Sequence, residues 1–372
     1  MKIGIPSEIK THEYRVGLTP ASAHELSLNG HEVYIQRGAG LGAGYSDEEY
    51  TLAGAQIVDD APNVFDAADL IIKVKEPQAI ERKLLTPKHT LFTYLHLAPD
   101  RAQTVDLIDS GATCIAYETV TDQHGRLPLL APMSEVAGRM SIQAGAYSLE
   151  KENGGRGVLL GGVPGVPPAE VLVLGAGVVG SNAIKMAVGA GARVTVLDTN
   201  INALRELDNR YGNKITTIIS SQYAIAEQVQ TSDLIIGAVL IPGAAAPKLI
   251  TREHLLTMKP GAALVDVAID QGGCFETSRP TTHDQPTYII DDIVHYCVAN
   301  MPGAVSRTST QALNNATLPF ISALANHGIL EALRSNIYLR QGLNVYQSTL
   351  CCPSVGRALD IKSQTPEQAL QL

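Results

Sequence analysis

The stretch from 171 to 198, VLVLGAGVVGSNAIKMAVGAGARVTVLD, limits what this chain can fold into more than any other. It runs from a β-prone segment through a glycine-rich turn into a helix-forming segment and a second β-prone run. Gly175, Gly177 and Gly180 fall in the pattern GxGxxG, directly after the first run and directly before the helix. In that context the three glycines serve different ends. Gly175 permits the tight turn, Gly177 lets the backbone approach a pyrophosphate, and Gly180 lets the helix pack close. The helix N-terminus then faces the phosphates with unsatisfied N–H groups. Asp198 ends the second run, where a carboxylate accepts hydrogen bonds from an adenosine ribose and repels a 2′-phosphate. NAD is therefore expected in preference to NADP.

The strand–helix rhythm extends well beyond this segment. Residues 2 to 120 alternate β-like runs such as MKIGIP, HEVYIQRG, LIIKVK, HTLFTYLHL and TCIAYETV with helical stretches. One of these, TPASAHELSLNG, has Thr19 as N-cap, Pro20 at the first helical position and Gly30 as stop. From about 169 to 300 the runs EVLVLGAG, ARVTVLD, KITTIIS, DLIIGAV, ALVDVA and TYIIDDI repeat the rhythm. Strands separated by helices mean parallel, doubly wound sheets, so the expected class is α/β with two such domains. A Rossmann nucleotide domain is expected over 129–306, and a Rossmann-like substrate domain over 1–128 and 307–372. Two helical segments, one led by a cap-like Ser134 and one following residue 303, are read as helices crossing between the domains. This arrangement predicts a cleft at the carboxyl ends of the strands, where open α/β sheets bind ligands. The Gly/Pro-rich stretch 154–170 is read as a loop.

Composition narrows the partner. A net charge of −9 without a Lys/Arg run excludes a nucleic-acid backbone and leaves a small molecule. Five cysteines, with no CxxC pair and no metal-like spacing, suggest reduced thiols, and no metal is assigned. The N-terminus has no secretory h-region, and no apolar stretch is long enough for a membrane span, so a soluble, cytoplasmic protein is expected.

Several apolar runs end in groups that a core would reject. LIIKVKEP carries Lys75, LFTYLHLAP carries His96, ALVDVAID ends in Asp270, and Arg15 follows the first run. Singly these are solvated edges or hydrogen-bonded structural residues. Together, two cations suit a carboxylate, and a His with an Asp can move protons at one carbon. Beside an NAD site, that set points to hydride transfer at the carbon α to a carboxylate, on a hydroxy acid or an amino acid.

In order and over essentially the whole chain, MKIGIPSEIKTHEYRVGLTP, the GAGxGAGYSDEEY segment, KVKEP, YLHLA, APMSEVAGRMS, GAGVVG, VDVAIDQGG and VANMPGAVSRTST resemble the L-alanine dehydrogenase family, which includes the pyridine nucleotide transhydrogenase α subunits. The resemblance implies reversible, NAD-linked oxidative deamination of L-alanine to pyruvate and ammonia by a homohexamer. It also implies that Arg15 and Lys75, with Asn300, bind the substrate, that His96 is the general acid/base, and that Asp270 holds the attacking water or ammonia. For the cofactor it points to Ser134, the Val178 and Val179 backbone, Asp198, Ser220, Val239, Leu240, Val267, Ala268, Ile269, Asp270, Arg279, Val298, Ala299, Asn300 and Met301. The basic residue that often follows the ribose acid in relatives is replaced here by Ala203, with Arg205 nearby. Glu118 and His327 resemble positions able to hold a divalent ion, although their spacing demands none. The alternatives are the soluble NAD-binding component of a proton-translocating transhydrogenase, which works against membrane partners, an enzyme for a larger amino acid or imine, and a catalytically silent NAD-binding protein.

Overall fold

The computed structural model describes residues 1–239 and 246–372, and Leu240 lies outside them. By their contacts the described residues divide into two compact units, Met1–Met133 with Gly303–Leu372, and Ser134–Pro302.

In chain order the strands are β1 (Lys2–Ile5), β2 (Glu32–Gln36), β3 (Gln56–Val58), β4 (Leu70–Ile72), β5 (Thr90–Thr93) and β6 (Thr113–Ala116). There follow β7 (Glu170–Leu174), β8 (Arg193–Asp198), β9 (Ile215–Ile219), β10 (Leu234–Gly237), β11 (Ala263–Asp266), β12 (Thr287–Ile290) and β13 (Ile293–Tyr296). The last two are β14 (Leu343–Tyr346) and β15 (Thr349–Leu350).

The first unit holds a sheet in the order β15-β14-β6-β5-β4-β1-β2-β3, parallel from β1 to β6 and closed by the antiparallel pair β14 and β15. Its order reverses between β1 and β4, which makes the loops after those two strands the ligand-facing crevice of this sheet. The helix Pro20–Leu28 begins as the sequence predicts, with Thr19 accepting the Ser22 N–H and Gly30 in the left-handed region just past the end. The helix Ser306–His327 docks on the stretch that follows Arg15 through buried polar groups. Asn314 Oδ1 accepts the Thr19 N–H at 2.9 Å, and Thr310 Oγ1 accepts the Val16 N–H at 3.3 Å. Those bonds, together with β14 beside β6, are what return the C-terminal residues to the first unit.

The second unit holds the order β12-β13-β11-β10-β7-β8-β9, with all neighbours parallel except the edge strand β12. Its strands are apolar on both faces. Val171 and Val173 of β7 join one core, with Val194, Val196, Ile236 and Val265, while Leu172 and Leu174 join the other, with Leu197, Ile235 and Leu264. A parallel sheet covered on both sides requires such runs.

The fold class is the one the sequence predicts, with antiparallel pairing added at one end of each sheet, through β14 and β15 in the first and β12 in the second. TYIIDDI is not one strand. Asp291 and Asp292 both adopt positive φ, at 49° and 60°, and turn the chain into the hairpin β12–β13, so that the following IVHY supplies the parallel strand beside β11. Ser134 is not a cap, because its helix, Ala131–Ser148, has already begun three residues earlier.

Candidate active site

In the first unit, three of the expected residues stand on loops leaving the carboxyl ends of the neighbouring strands β1, β4 and β5. Arg15 is buried, and Glu13 grips it with both carboxylate oxygens, Oε1 to Nε at 2.6 Å and Oε2 to Nη2 at 2.5 Å, while Nη1 reaches Met133 Sδ at 3.0 Å. Burial works against its charge, yet the Glu13 hydrogen bonds and charge outweigh that and raise its pKa. The fork is thus held rigid, as bidentate recognition of a carboxylate requires. Lys75 is half-buried and lies three residues past the end of β4.

His96 does not belong to a strand. Strand β5 stops at Thr93, and the chain then turns away with His96 itself in the left-handed region at φ 49°. Glu118, on the turn after β6, stabilises that turn: its Oε1 accepts the N–H of His96 at 2.6 Å and of Leu95 at 3.1 Å. The exposed imidazole stacks on Tyr94, with ring centres 5.8 Å apart and planes 11° from parallel. Tyr94 is in turn fixed by its hydroxyl, which donates to the Leu129 carbonyl at 2.5 Å. The ring is therefore aimed from below and open above, the arrangement a proton-transfer group needs. Glu118, which the sequence offered only as an ion ligand, is a backbone anchor here. Among the described residues no group of three or more His, Cys, Asp and Glu could hold a metal ion.

In the second unit the glycines separate by function. Gly175 has φ 104°, which only glycine adopts without strain, and a Cβ on Gly180 would lie 1.8 Å from the Gly175 carbonyl oxygen. A Cβ on Gly177 would meet nothing within 4 Å, so this glycine leaves open space at the N-terminus of the helix Val178–Gly189. Asp198 fastens the turn, accepting the Ala176 N–H at 2.6 Å on Oδ2 and the Asn200 N–H at 2.7 Å on Oδ1. Each oxygen retains acceptor capacity for a ribose hydroxyl. A pyrophosphate at the helix terminus and a ribose at Asp198 fit this cradle.

Ser220, Val239, Asp270 and the run Val298, Ala299, Asn300 and Met301 follow the carboxyl ends of β9, β10, β11 and β13. The cap of the helix after β9 is Ser221, whose hydroxyl accepts the Ala224 N–H, so Ser220 does not cap it. Ser134 and Arg279 lie away from strand ends. Arg279 is placed instead by Tyr288, whose ring it covers at 4.2 Å and whose hydroxyl accepts its N–H at 2.9 Å.

Asp270 sits on a short helical turn, Val267–Gln271, and not on β11 itself. The acid that ends β11 is Asp266, fully buried, accepting from Ala268 N–H, Cys274 N–H and Ser278 Oγ at 3.1, 2.9 and 2.5 Å. Burial pushes its pKa up, while those bonds favour its charge. It shapes the segment that carries Val267, Ala268, Ile269 and Asp270. The rule of a polar residue ending an apolar run singles out Asp266 as readily as Asp270.

Two family models match the chain: the N-terminal domain of alanine dehydrogenase/PNT over residues 4–137, and its C-terminal domain over residues 141–353. An alanine dehydrogenase from Halomonas elongata is 60% identical over 362 residues, covering 97% of this chain and 98% of that protein. A solved L-alanine dehydrogenase superposes with a TM-score of 0.94 at 50% identity, covering 97% of this chain and 99% of that one. A transhydrogenase from Sinorhizobium meliloti superposes at 0.82 with 24% identity, covering 95% and 100%, a likeness of fold alone.

Proposed function

The chain belongs to the alanine dehydrogenase family, and on that premise we propose that it catalyses the reversible, NAD-linked oxidative deamination of L-alanine to pyruvate and ammonia. The observation that carries this reading is the 60% identity to the Halomonas elongata alanine dehydrogenase across both units. The transhydrogenase alternative shares the fold and the two family models, but its solved relative is only 24% identical, against 60% for the alanine dehydrogenase. Among the described residues no helix is long and apolar enough to cross a membrane. The homohexamer and the cytoplasmic location implied by the family remain part of the proposal, and light scattering on the purified protein tests the first.

The division of labour we propose is the one the family resemblance implies. Arg15, held by Glu13, binds the substrate carboxylate, Lys75 the carboxylate or oxo group, and Asn300 assists. When bound, NAD would supply the hydride acceptor; Gly175, Gly177, Gly180, the Val178 and Val179 N–H groups and Asp198 would hold it, and Ser134, Ser220, Val239, Val267, Ala268, Ile269, Arg279, Val298, Ala299 and Met301 are the further residues the family resemblance assigns to it. In deamination, Asp270 holds the water that adds to the imino carbon. His96 takes that water's proton and returns one to the departing nitrogen. In a panel of L-amino and L-2-hydroxy acids, L-alanine is expected to drive NADH formation; comparable turnover of hydroxy acids would overturn the reading.

Two further outcomes test the assignments. NAD is expected to be preferred over NADP by two orders of magnitude or more in kcat/KM (~3 kcal/mol), since the 2′-phosphate would meet the Asp198 carboxylate with no dedicated arginine at position 203, where Ala203 stands. Equal use of both cofactors contradicts this. Lys75→Ala is expected to lower kcat/KM for pyruvate roughly 10²-fold while leaving the dissociation constant of NADH unchanged. Unchanged pyruvate kinetics would return Lys75 to the role of a solvated edge. Arg15→Ala is the less clean probe, because it takes the ion-pair partner from the buried Glu13, a change that costs about 3–5 kcal/mol in itself.

A further inference from the structure

The loops leaving β1 and β4 are joined by an ion-pair cluster that none of the roles above uses. Lys73, the first residue past β4, is completely buried, and its Nζ donates to Glu8 Oε2 at 3.1 Å and to Glu81 Oε1 at 2.7 Å. Both carboxylates are as deeply buried as the ammonium. A buried ionic triad contributes little net stability, and well-packed apolar groups often replace one without loss. Stability alone is thus a weak account of why charge sits here.

The backbone gives a better one. Glu8 turns its other oxygen, Oε1, to the N–H of Val74 at 2.7 Å and of Lys75 at 3.4 Å. The Lys75 carbonyl accepts from Thr93 Oγ1 at 3.0 Å, Lys10 pairs with Glu76, and Glu81 Oε2 accepts the Gln78 N–H at 2.7 Å. Residues 73–78 have no regular secondary structure, yet side chains from the β1 loop, from β5 and from the helix Ala79–Arg82 hold them at nearly every step. The loop that supplies Glu8 and Lys10 is the one that goes on to Arg15.

We propose that Glu8 and Lys73 are positioning residues for the substrate cation Lys75: Glu8 fixes the backbone from which Lys75 reaches, and Lys73 fixes Glu8. The inference rests on the substrate role given to Lys75 above. It explains the charge at this spot, because a carboxylate is the side chain that can accept two successive N–H groups with one oxygen and bind an ammonium with the other. Burial raises the Glu8 pKa and the neighbouring Lys73 opposes that rise, so Lys73 also preserves the ionised, stronger acceptor.

Glu8→Asp keeps the charge but draws the carboxylate back by one methylene from the Val74 and Lys75 N–H groups; Glu8→Gln keeps the shape and removes the charge. Each is expected to raise KM for pyruvate roughly tenfold or more, with the NADH dissociation constant unchanged. In a Lys75→Ala background the same substitutions are expected to add nothing, since the residue they position is gone. Lys75→Ala with a normal pyruvate KM would remove the substrate role of Lys75, and this inference with it. A raised KM in Lys75→Ala, combined with a normal KM in both Glu8 variants or with effects that simply multiply, would leave Lys75 its role and overturn the positioning of Glu8 and Lys73 alone.

Discussion

His96→Ala is expected to lower turnover in both directions by roughly 10² to 10⁴, the usual worth of general acid/base catalysis, while NADH affinity and melting temperature stay near those of the parent protein. The stability half of this expectation comes from the position of the side chain. The imidazole is exposed and contacts Tyr94 by one face, and the turn beneath it is fixed through backbone N–H groups given to Glu118, which Ala supplies equally well. The left-handed φ of 49° suits alanine slightly less than histidine, so the loss of stability is expected to stay within ~1 kcal/mol. Deamination in the parent protein should also quicken toward alkaline pH, because hydride leaves the α-carbon only when the amine is uncharged. Activity and melting temperature measured on one His96→Ala preparation decide the matter. A destabilised but active variant would mark His96 as structural and remove it from the mechanism.

The fold was legible wherever one physical signal dominated. The runs of β7, β8, β10 and β11 are apolar on both faces and are bounded by glycines or acids, so the second sheet could be read from its pattern almost strand by strand. What escaped were the antiparallel edges. The β14–β15 turn uses Gln347 and Ser348 at φ 45° and 55°, and the β12–β13 turn uses two aspartates, neither of them the Asn-Gly or Asp-Gly signal that marks a tight hairpin. Tertiary context, not turn chemistry, imposes those conformations.

The candidate site was drawn from a single anomaly, polar residues at the ends of apolar runs, which singled out Arg15, Lys75, His96 and Asp270. Their supports were not legible. Glu8 and Glu13 are carboxylates in polar loops that the pattern does not single out, and Glu118 stood out only as a position able to hold an ion; only the fold shows Glu8 and Glu13 buried against cations and Glu118 turned to two backbone N–H groups. A residue that acts on another residue's backbone leaves no periodicity to read.

The fingerprint glycines permit the sharpest separation of fold from ligand, because Gly180 and Gly177 share one turn and are expected to fail in opposite ways. In Gly180→Ala the new Cβ would sit 1.8 Å from the Gly175 carbonyl oxygen, backbone against backbone, with no flexible side chain to yield. The helix would have to move off β7, at more than the ~1–3 kcal/mol of ordinary overpacking, and both the melting temperature and NADH binding should fall. In Gly177→Ala the Cβ meets no atom of the chain within 4 Å, and the backbone there, at φ −68°, suits any residue. The melting temperature should hold. The methyl group would nevertheless enter the space through which a pyrophosphate approaches the helix N-terminus, so the NADH dissociation constant should rise at least tenfold, or ~1.4 kcal/mol. Calorimetric titration of NADH alongside thermal melts of the two variants measures both quantities, and a Gly177→Ala protein that binds NADH as tightly as its parent would show that the phosphates do not lie against this turn.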